Sequence, residues 1–181
     1  VGRSGMKWFR GKETRINKEQ ITKAIEGSLK RLNTDYIDLY QIHWPDRKAN
    51  FFGKLGYVHQ EEEDFIELKY QLECLNDLVK QGKIRYVGLS NETSWGLMKF
   101  LNLAEKFNLP RVVSVQNPYS LLNRSYEVGM AEISVRENCG LLAYSPLAFG
   151  MLTGKYDDGK KPQKSRLTIY ESIYTRYTKS K

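Results

Sequence analysis

An α/β fold built on a parallel sheet follows from three features of the sequence. Short apolar runs rich in β-branched and aromatic residues alternate with longer stretches of helical periodicity. From the second run onward the strand starts recur about every thirty residues, the length of one βα unit. Every run ends in polar side chains: His43, then Ser90 and Asn91, then Gln116 and Asn117, then Tyr144 and Ser145. Parallel strands need crossovers, which are right-handed and usually helical. Ligands of such folds bind at the C-terminal ends of the strands, in open sheets and barrels alike. An open dinucleotide-binding sheet would carry a glycine-rich fingerprint after its first strand, and none is present. The expectation is a partial (β/α)8 TIM barrel with about four βα units and parallel strands.

Residues 1–16 are rich in Gly, Arg and Lys without an apolar period and read as a loop. Asn17 with Gln20 makes a start resembling a capping box, and Ile21, Ile25, Leu29 and Leu32 follow at helical spacing to a stop near Asn33. Residues 36–42 alternate as a strand, which puts His43 on the side of Ile37, Leu39 and Gln41. The connection 50–63 is long and carries Phe51, Phe52 and Tyr57, as binding loops and flexible insertions both do. Asp64 and Glu67 should open a second helix that buries Leu68, Leu72, Leu75 and Leu78 or Val79 and stops at Gly82. A strand over 84–89 follows, then a helix over 94–107 with Leu97, Met98, Leu101 and Ala104 inward. The series closes with a strand over 112–115, a helix over 125–138 with Met130 and Ile133 inward and Gly140 as its stop, and a strand over 141–144.

The chain has 181 residues and 40% hydrophobic content, enough for a single domain with its own core. No apolar run is long enough to span a bilayer, and there is no signal-peptide pattern, so a soluble protein without a membrane partner is expected. Cys74 and Cys139 fit neither a disulfide framework nor a metal knuckle, which points to a reducing cytoplasm. The net charge of +8 raises a nucleic-acid reading, but the cations are interleaved with acids up to about residue 155. Only the stretch 160–181 is distinctly basic, a tail or part of a cofactor-side loop.

Most of the candidate chemistry lies between Leu141 and Lys155. Tyr144 can offer a ring face for stacking, Ser145 a hydroxyl, the region of Gly150 and Gly154 open backbone N–H groups, and Lys155 a charge for phosphate. Together they suit a cofactor with a planar ring at one end and phosphates further along. An ordinary strand followed by a turn is the plain alternative. Alone, His43 is more often held by neighbouring backbone than catalytic, Ser90 and Asn91 are commonly a turn or cap, and Gln116 could bond within the rim. Their recurrence at the same end of successive strands favours one shared site.

Three ordered motifs carry a family resemblance: residues 31–46 with Asp35-Tyr36-Ile37-Asp38 and His43-Trp44-Pro45-Asp46, residues 82–91 ending in Gly88-Leu89-Ser90-Asn91, and residues 115–120 with Gln116-Asn117-Pro118-Tyr119. With the 141–155 stretch they resemble the aldo-keto reductases, and the 51–57 loop and the run 117–125 are most similar to the bacterial Tas-like branch. Potassium-channel β-subunits belong to the same wider group. The resemblance implies a metal-free, NADPH-dependent reductase of aldehydes and ketones. It matches His43 to the histidine that hydrogen-bonds the substrate carbonyl. Ser90, Asn91 and Gln116 match the residues that hold the nicotinamide carboxamide, and Tyr144 the aromatic stacked on the ring. Ser145, Leu147 and Gly150 match the pyrophosphate loop, and Lys155 and Arg166 the cations near the 2′-phosphate.

The mechanism so implied also uses an Asp, a Tyr and a Lys, with the tyrosine giving a proton to the developing alkoxide. Only the histidine has a match here: Tyr36 and Tyr40 belong to the strand, and Lys7, Lys12 and Lys18 do not fit the motif. The expectation is a truncated, catalytically incomplete segment of a reductase whose partner is a small-molecule carbonyl compound. Trp44 and the 51–57 loop should give the substrate an aromatic wall. A non-catalytic nicotinamide-binding or interaction module is the alternative, and a nucleic-acid binder using 160–181 ranks below both. The oligomeric state is left open by the sequence.

Overall fold

A computed structural model describes residues 14–50, 56–61, 64–171 and 176–177. Most of the loop expected over 1–16, the aromatic residues Phe51 and Phe52, and most of the stretch beyond 171 lie outside the described residues. The element order is α1 (Lys18–Leu32), β1 (Ile37–Ile42), α2 (Leu68–Lys80), β2 (Ile84–Ser90), α3 (Ser94–Phe107), β3 (Val112–Pro118), α4 (Met130–Arg136), β4 (Gly140–Tyr144) and a short α5 (Arg166–Ile169). A 3-10 turn, Ser125–Val128, precedes α4, and two more, Ala148–Thr153 and Asp157–Gly159, follow β4.

The strands form one sheet in the order β1-β2-β3-β4, all parallel. With helices as crossovers this is a partial (β/α)8 barrel. Register assigns the faces. Tyr40 and Ile42 stand opposite Val87 and Leu89, and these opposite Val112 and Val115; all six are buried and form the outer core with Leu72, Leu75, Leu97, Phe100 and Leu101 of the helices. Side chains of this kind each stabilise the fold by about 1.5–3 kcal/mol when fully buried. On the other face Leu39 and Gln41 pair with Tyr86 and Gly88, and Gly88 with Ser114. A Cβ on Gly88 would lie 3.0 Å from Gln41 Cγ and 3.0 Å from Ser114 Oγ, so the glycine lets the inner layer close over it. Val113 is the extra residue of a bulge between the Val87–Val112 and Gly88–Ser114 pairs.

Helix α1 begins as its sequence signals: Asn17 Oδ1 accepts from the Gln20 amide at 3.0 Å, and Asn33 ends the helix in the left-handed region. Several expectations change. Leu32 is 64% exposed, because it falls on the last turn and beyond the reach of the sheet. Asp64 does not cap α2, which starts after Glu67 with no side-chain cap; Asp64 lies instead beside Arg15. The helix expected over 125–138 is split, since Gly129 (φ −154°, ψ −18°) leaves the helical region between the 3-10 turn and α4. Its stop is Asn138, left-handed at φ 49°, and Gly140 already belongs to β4. β3 runs on to Pro118, because Gln116, Asn117 and Pro118 pair with Leu142, Ala143 and Tyr144.

Candidate functional site

The polar strand ends meet. Asn91, left-handed at φ 53° and 4% exposed, donates from Nδ2 to the His43 carbonyl (2.9 Å) and to Ser90 Oγ (3.2 Å). Its Oδ1 accepts from the Tyr144 hydroxyl at 2.7 Å. Ser90 Oγ donates to the Gln116 carbonyl at 2.8 Å, and the Asn91 amide to the same oxygen at 2.9 Å. One step outward, Asn117 Nδ2 donates to the Glu92 carbonyl (2.8 Å) and its Oδ1 accepts from the Glu92 amide (3.2 Å). The ends of β1, β2, β3 and β4 are thus tied by one buried network, which rigidifies when every member is satisfied. Both amide hydrogens of Asn91 and the hydroxyl hydrogen of Ser90 are already used within the protein. The Gln116 side chain is half-buried and forms no hydrogen bond among the described residues.

Two ionisable rings border this network. His43 packs on Trp44, with ring centroids 4.2 Å apart and planes tilted by 44°. Partial desolvation lowers its pKa below the ordinary 6.5, so the ring is neutral at neutral pH and can donate one N–H. Burial raises the pKa of Tyr144 above 10, against the opposing pull of the Arg176 guanidinium. The phenol therefore keeps its proton, which it gives to Asn91.

The chain after β4 turns tightly. Ser145, Ala148, Phe149 and Gly150 all have positive φ, with Gly150 at 102°. A Cβ on Gly150 would come within 2.7 Å of Lys155 Cε and 3.0 Å of its Nζ, so the lysine lies back across the glycine. Leu147 is exposed at the tip. Arg166 Cζ is 5.9 Å and Arg176 Cζ 5.7 Å from the centre of the Phe149 ring, and the Tyr177 ring meets that ring edge-on at 5.1 Å. The Tyr156 hydroxyl accepts from the Leu167 amide at 3.1 Å, which fixes the start of α5 to the loop. Of the eleven residues singled out above, His43, Ser90, Asn91, Gln116 and Tyr144 share the strand-end network, with Trp44 on the histidine ring. Gly150, Lys155 and Arg166 border the Phe149 loop, into which Ser145 and Leu147 lead.

Several functional residues gave no signal in isolation. Asp46, 1% exposed, accepts from Arg15 Nε and Nη2 (the latter at 2.7 Å), from the Ile16 amide (3.0 Å) and from the Ile66 amide (2.9 Å). Glu92 is paired with Arg47, whose Nη1 donates to Glu92 Oε2 at 3.1 Å. Gly96 leaves the space for this ion pair, because a Cβ there would collide with both the carboxylate and the guanidinium. The His43-Trp44-Pro45-Asp46 motif ends on the first of these acids, and Ser90-Asn91 is followed by the second. A buried acid directly after a site motif is the signal that could have found them. Arg176 lies in a basic, tyrosine-rich stretch where no single cation stands out by sequence.

A cavity of about 980 Å³ lies apart from His43, Ser90, Asn91, Gln116 and Tyr144, lined by Arg47, Tyr57, His59, Phe65, Thr93 and Trp95 among others. Among the described residues of the expected aromatic wall, Tyr57 lines this cavity, and Trp44 lies instead on the His43 ring. Phe65 and Trp95 add aromatic surface to the cavity, with the Arg47 guanidinium 4.9 Å over the Trp95 ring.

Comparison with known proteins agrees with this geometry. The Aldo/keto reductase family profile matches residues 5–177. The chain is 53% identical to "Protein tas" of Escherichia coli over 163 residues, which is 90% of this chain and 47% of that protein. It is 44% identical over 185 residues to an "Aldo-keto reductase" of Babesia bovis, covering 96% of this chain and 65% of that one. The chain thus spans about half to two thirds of the length of these relatives. Among solved structures, the thermostable aldo-keto reductase Tm1743, crystallised with the inhibitor epalrestat, superposes with a TM-score of 0.59 at 30% identity, over 74% of this chain and 41% of that one.

Proposed function

Because this chain belongs to the aldo-keto reductase family, we propose that it carries the nicotinamide-binding side of an NADPH-dependent reductase of aldehydes and ketones, an oxidoreductase of small carbonyl compounds. One observation carries the reading: His43, Ser90, Asn91, Gln116 and Tyr144 are bound into a single network beside a glycine-bearing loop bordered by Lys155 and Arg166. Residue chemistry fits the cofactor. Tyr144 supplies a ring face, Gln116 an amide with bonding capacity left, and Gly150 a backbone that a side chain would obstruct. Bound NADPH would supply a hydride for the carbonyl carbon.

The residues of the chain do the rest by position. Asn91 fixes the Tyr144 hydroxyl and the His43 carbonyl, so the ring face and the imidazole keep a constant relation. Neutral His43 can donate a hydrogen bond to a carbonyl oxygen without carrying a charge into the site. Lys155 and Arg166 favour a phosphorylated ribose over an unphosphorylated one. The proton donor is not among the candidates here. Tyr40 is buried on the helix side of β1, and Tyr36 packs under Arg85 at 3.9 Å. We therefore assign full turnover to a protein that also contains the remaining tetrad residues, and to the 181 residues, as one partial reductase domain, the binding step. Both cysteines are free and buried, with Cys139 pushed up to about 11 by burial, in keeping with a reducing cytoplasm. Among the described residues no helix is long and apolar enough to cross a membrane.

Titration of the chain with NADPH, followed by nucleotide fluorescence, tests the assignment. Saturable binding that is weaker for NADH and lost in Tyr144→Ala is expected. Equal affinity for both nucleotides, or binding indifferent to Tyr144→Ala, would overturn it.

A further inference from the structure

The positive charge around Phe149 exceeds what the proposed cofactor contacts use. Lys155 and Arg166 were singled out as sequence matches, but a third cation, Arg176, reaches the same ring from the chain beyond α5, 5.7 Å from its centre. Neither Lys155 nor Arg176 forms an ion pair with a carboxylate among the described residues, although most other arginines do, among them Arg15, Arg47, Arg85, Arg111, Arg124 and Arg136. Cations brought close together favour an anion between them. Beside Arg176, the Tyr177 hydroxyl is buried and has no hydrogen-bond partner, a donor whose desolvation nothing offsets.

Arg176 also touches the other half of the site. Its guanidinium is near enough to the Tyr144 phenol to pull that group's pKa down against burial, and the phenol donates to Asn91 Oδ1 at 2.7 Å while Asn91 Nδ2 donates to the His43 carbonyl at 2.9 Å. One side chain therefore stands at the junction between the ring platform and the cation-lined loop. A guanidinium offers five N–H groups in a planar fork, so it can hold the phenol and a phosphoryl oxygen together.

We propose that Arg176, with the Tyr177 hydroxyl beside it, binds the diphosphate of the nucleotide and joins the phosphate loop to the Tyr144 platform. This rests on the cofactor reading above and adds to it a contact from the segment after α5. An anion in this place meets Arg176 over Phe149 and the Tyr177 hydroxyl, and leaves Lys155 and Arg166 to the ribose phosphate. Loss of Arg176 then costs both a charge-assisted bond to the anion and the restraint on Tyr144.

The test uses the 181-residue chain and two probes, inorganic pyrophosphate and NADPH, each titrated against the native sequence, Arg176→Ala and Arg176→Lys. Arg176 is exposed, and an unchanged urea midpoint would show that the variants fold. Arg176→Ala should weaken both probes by about ten- to a hundredfold, the loss of one hydrogen bond to a charged group. Arg176→Lys should restore most of the pyrophosphate affinity but less of the NADPH affinity, because an ammonium keeps the charge and loses the fork. Alanine binding both probes as tightly as arginine would overturn the proposal and leave the cofactor reading standing. Pyrophosphate bound through Arg176 without any NADPH binding would overturn the cofactor reading and leave an anion site. Failure of the native chain to bind either probe would remove both.

Discussion

His43 shows how a single residue's surroundings set its chemistry. The imidazole is exposed at the end of β1 with Trp44 against its ring, yet partial desolvation lowers its pKa from 6.5. The consequence for stability has a definite sign. As pH falls below 6.5 the unfolded chain takes up this proton before the folded chain does, so stability is full above 6.5 and declines as pH drops through the lowered value. The sequence has two histidines, so the measurement is direct: the His43 ring resonances should titrate with a midpoint below 6.5, and Trp44→Ala should move that midpoint up. A midpoint at 6.5 or above in the native chain would show that Trp44 does not shield the ring. The same lowered pKa suits a neutral hydrogen-bond donor to a carbonyl, which links the stability profile to the proposed function.

At the scale of elements, periodic patterns were the most legible. α3 spans the residues its apolar spacing indicates, and α1 starts at Asn17 because a side-chain cap is a local signal. The break in the helix expected over 125–138 is not legible, because local spacing does not register a single glycine outside the helical region, Gly129. The candidate residues were legible as strand ends, but their mutual saturation was not: that Asn91 spends its amide on His43, Ser90 and Tyr144 depends on contacts some fifty residues apart in sequence. Least legible was Asp46, which joins three stretches of chain, the segment at Arg15 and Ile16, the end of β1, and the approach to α2 at Ile66. Its removal takes from the Arg15 guanidinium the buried one of its two acidic partners and leaves two amides without their acceptor. Asp46→Ala should lower the unfolding free energy by about 3–5 kcal/mol in urea, and Asp46→Asn by less, since one carbonyl oxygen remains for an amide. A loss under about 1 kcal/mol for alanine would mean that the three segments are held by packing alone.

Among the described residues the core lies on one side of the sheet. Between the sheet and α1, α2 and α3 the side chains are dry, whereas across the sheet Tyr86 is 57% exposed, Leu142 40% and Val113 37%. In a closed eight-stranded barrel those inner positions would fill the interior in layers. Neighbouring residues of β2 therefore report on two different environments. Val87 is 0% exposed, so Val87→Ala should cost about 2–3 kcal/mol through the lost methyl groups and the space they leave. Tyr86→Ser, one residue away on the open face, should cost less than about 1 kcal/mol in the 181-residue chain. Urea unfolding of the two variants settles which face carries the stability. Equal losses would mean that the inner layer is already covered in solution, and the difference should disappear in any protein in which four further strands close the barrel over Tyr86. The proposed nucleotide site lies at the rim of that sheet, held by hydrogen bonds between strand ends and not by the inner layer. Tyr86→Ser should accordingly leave NADPH affinity unchanged, while Val87→Ala, by loosening β2 beneath Ser90 and Asn91, should weaken it.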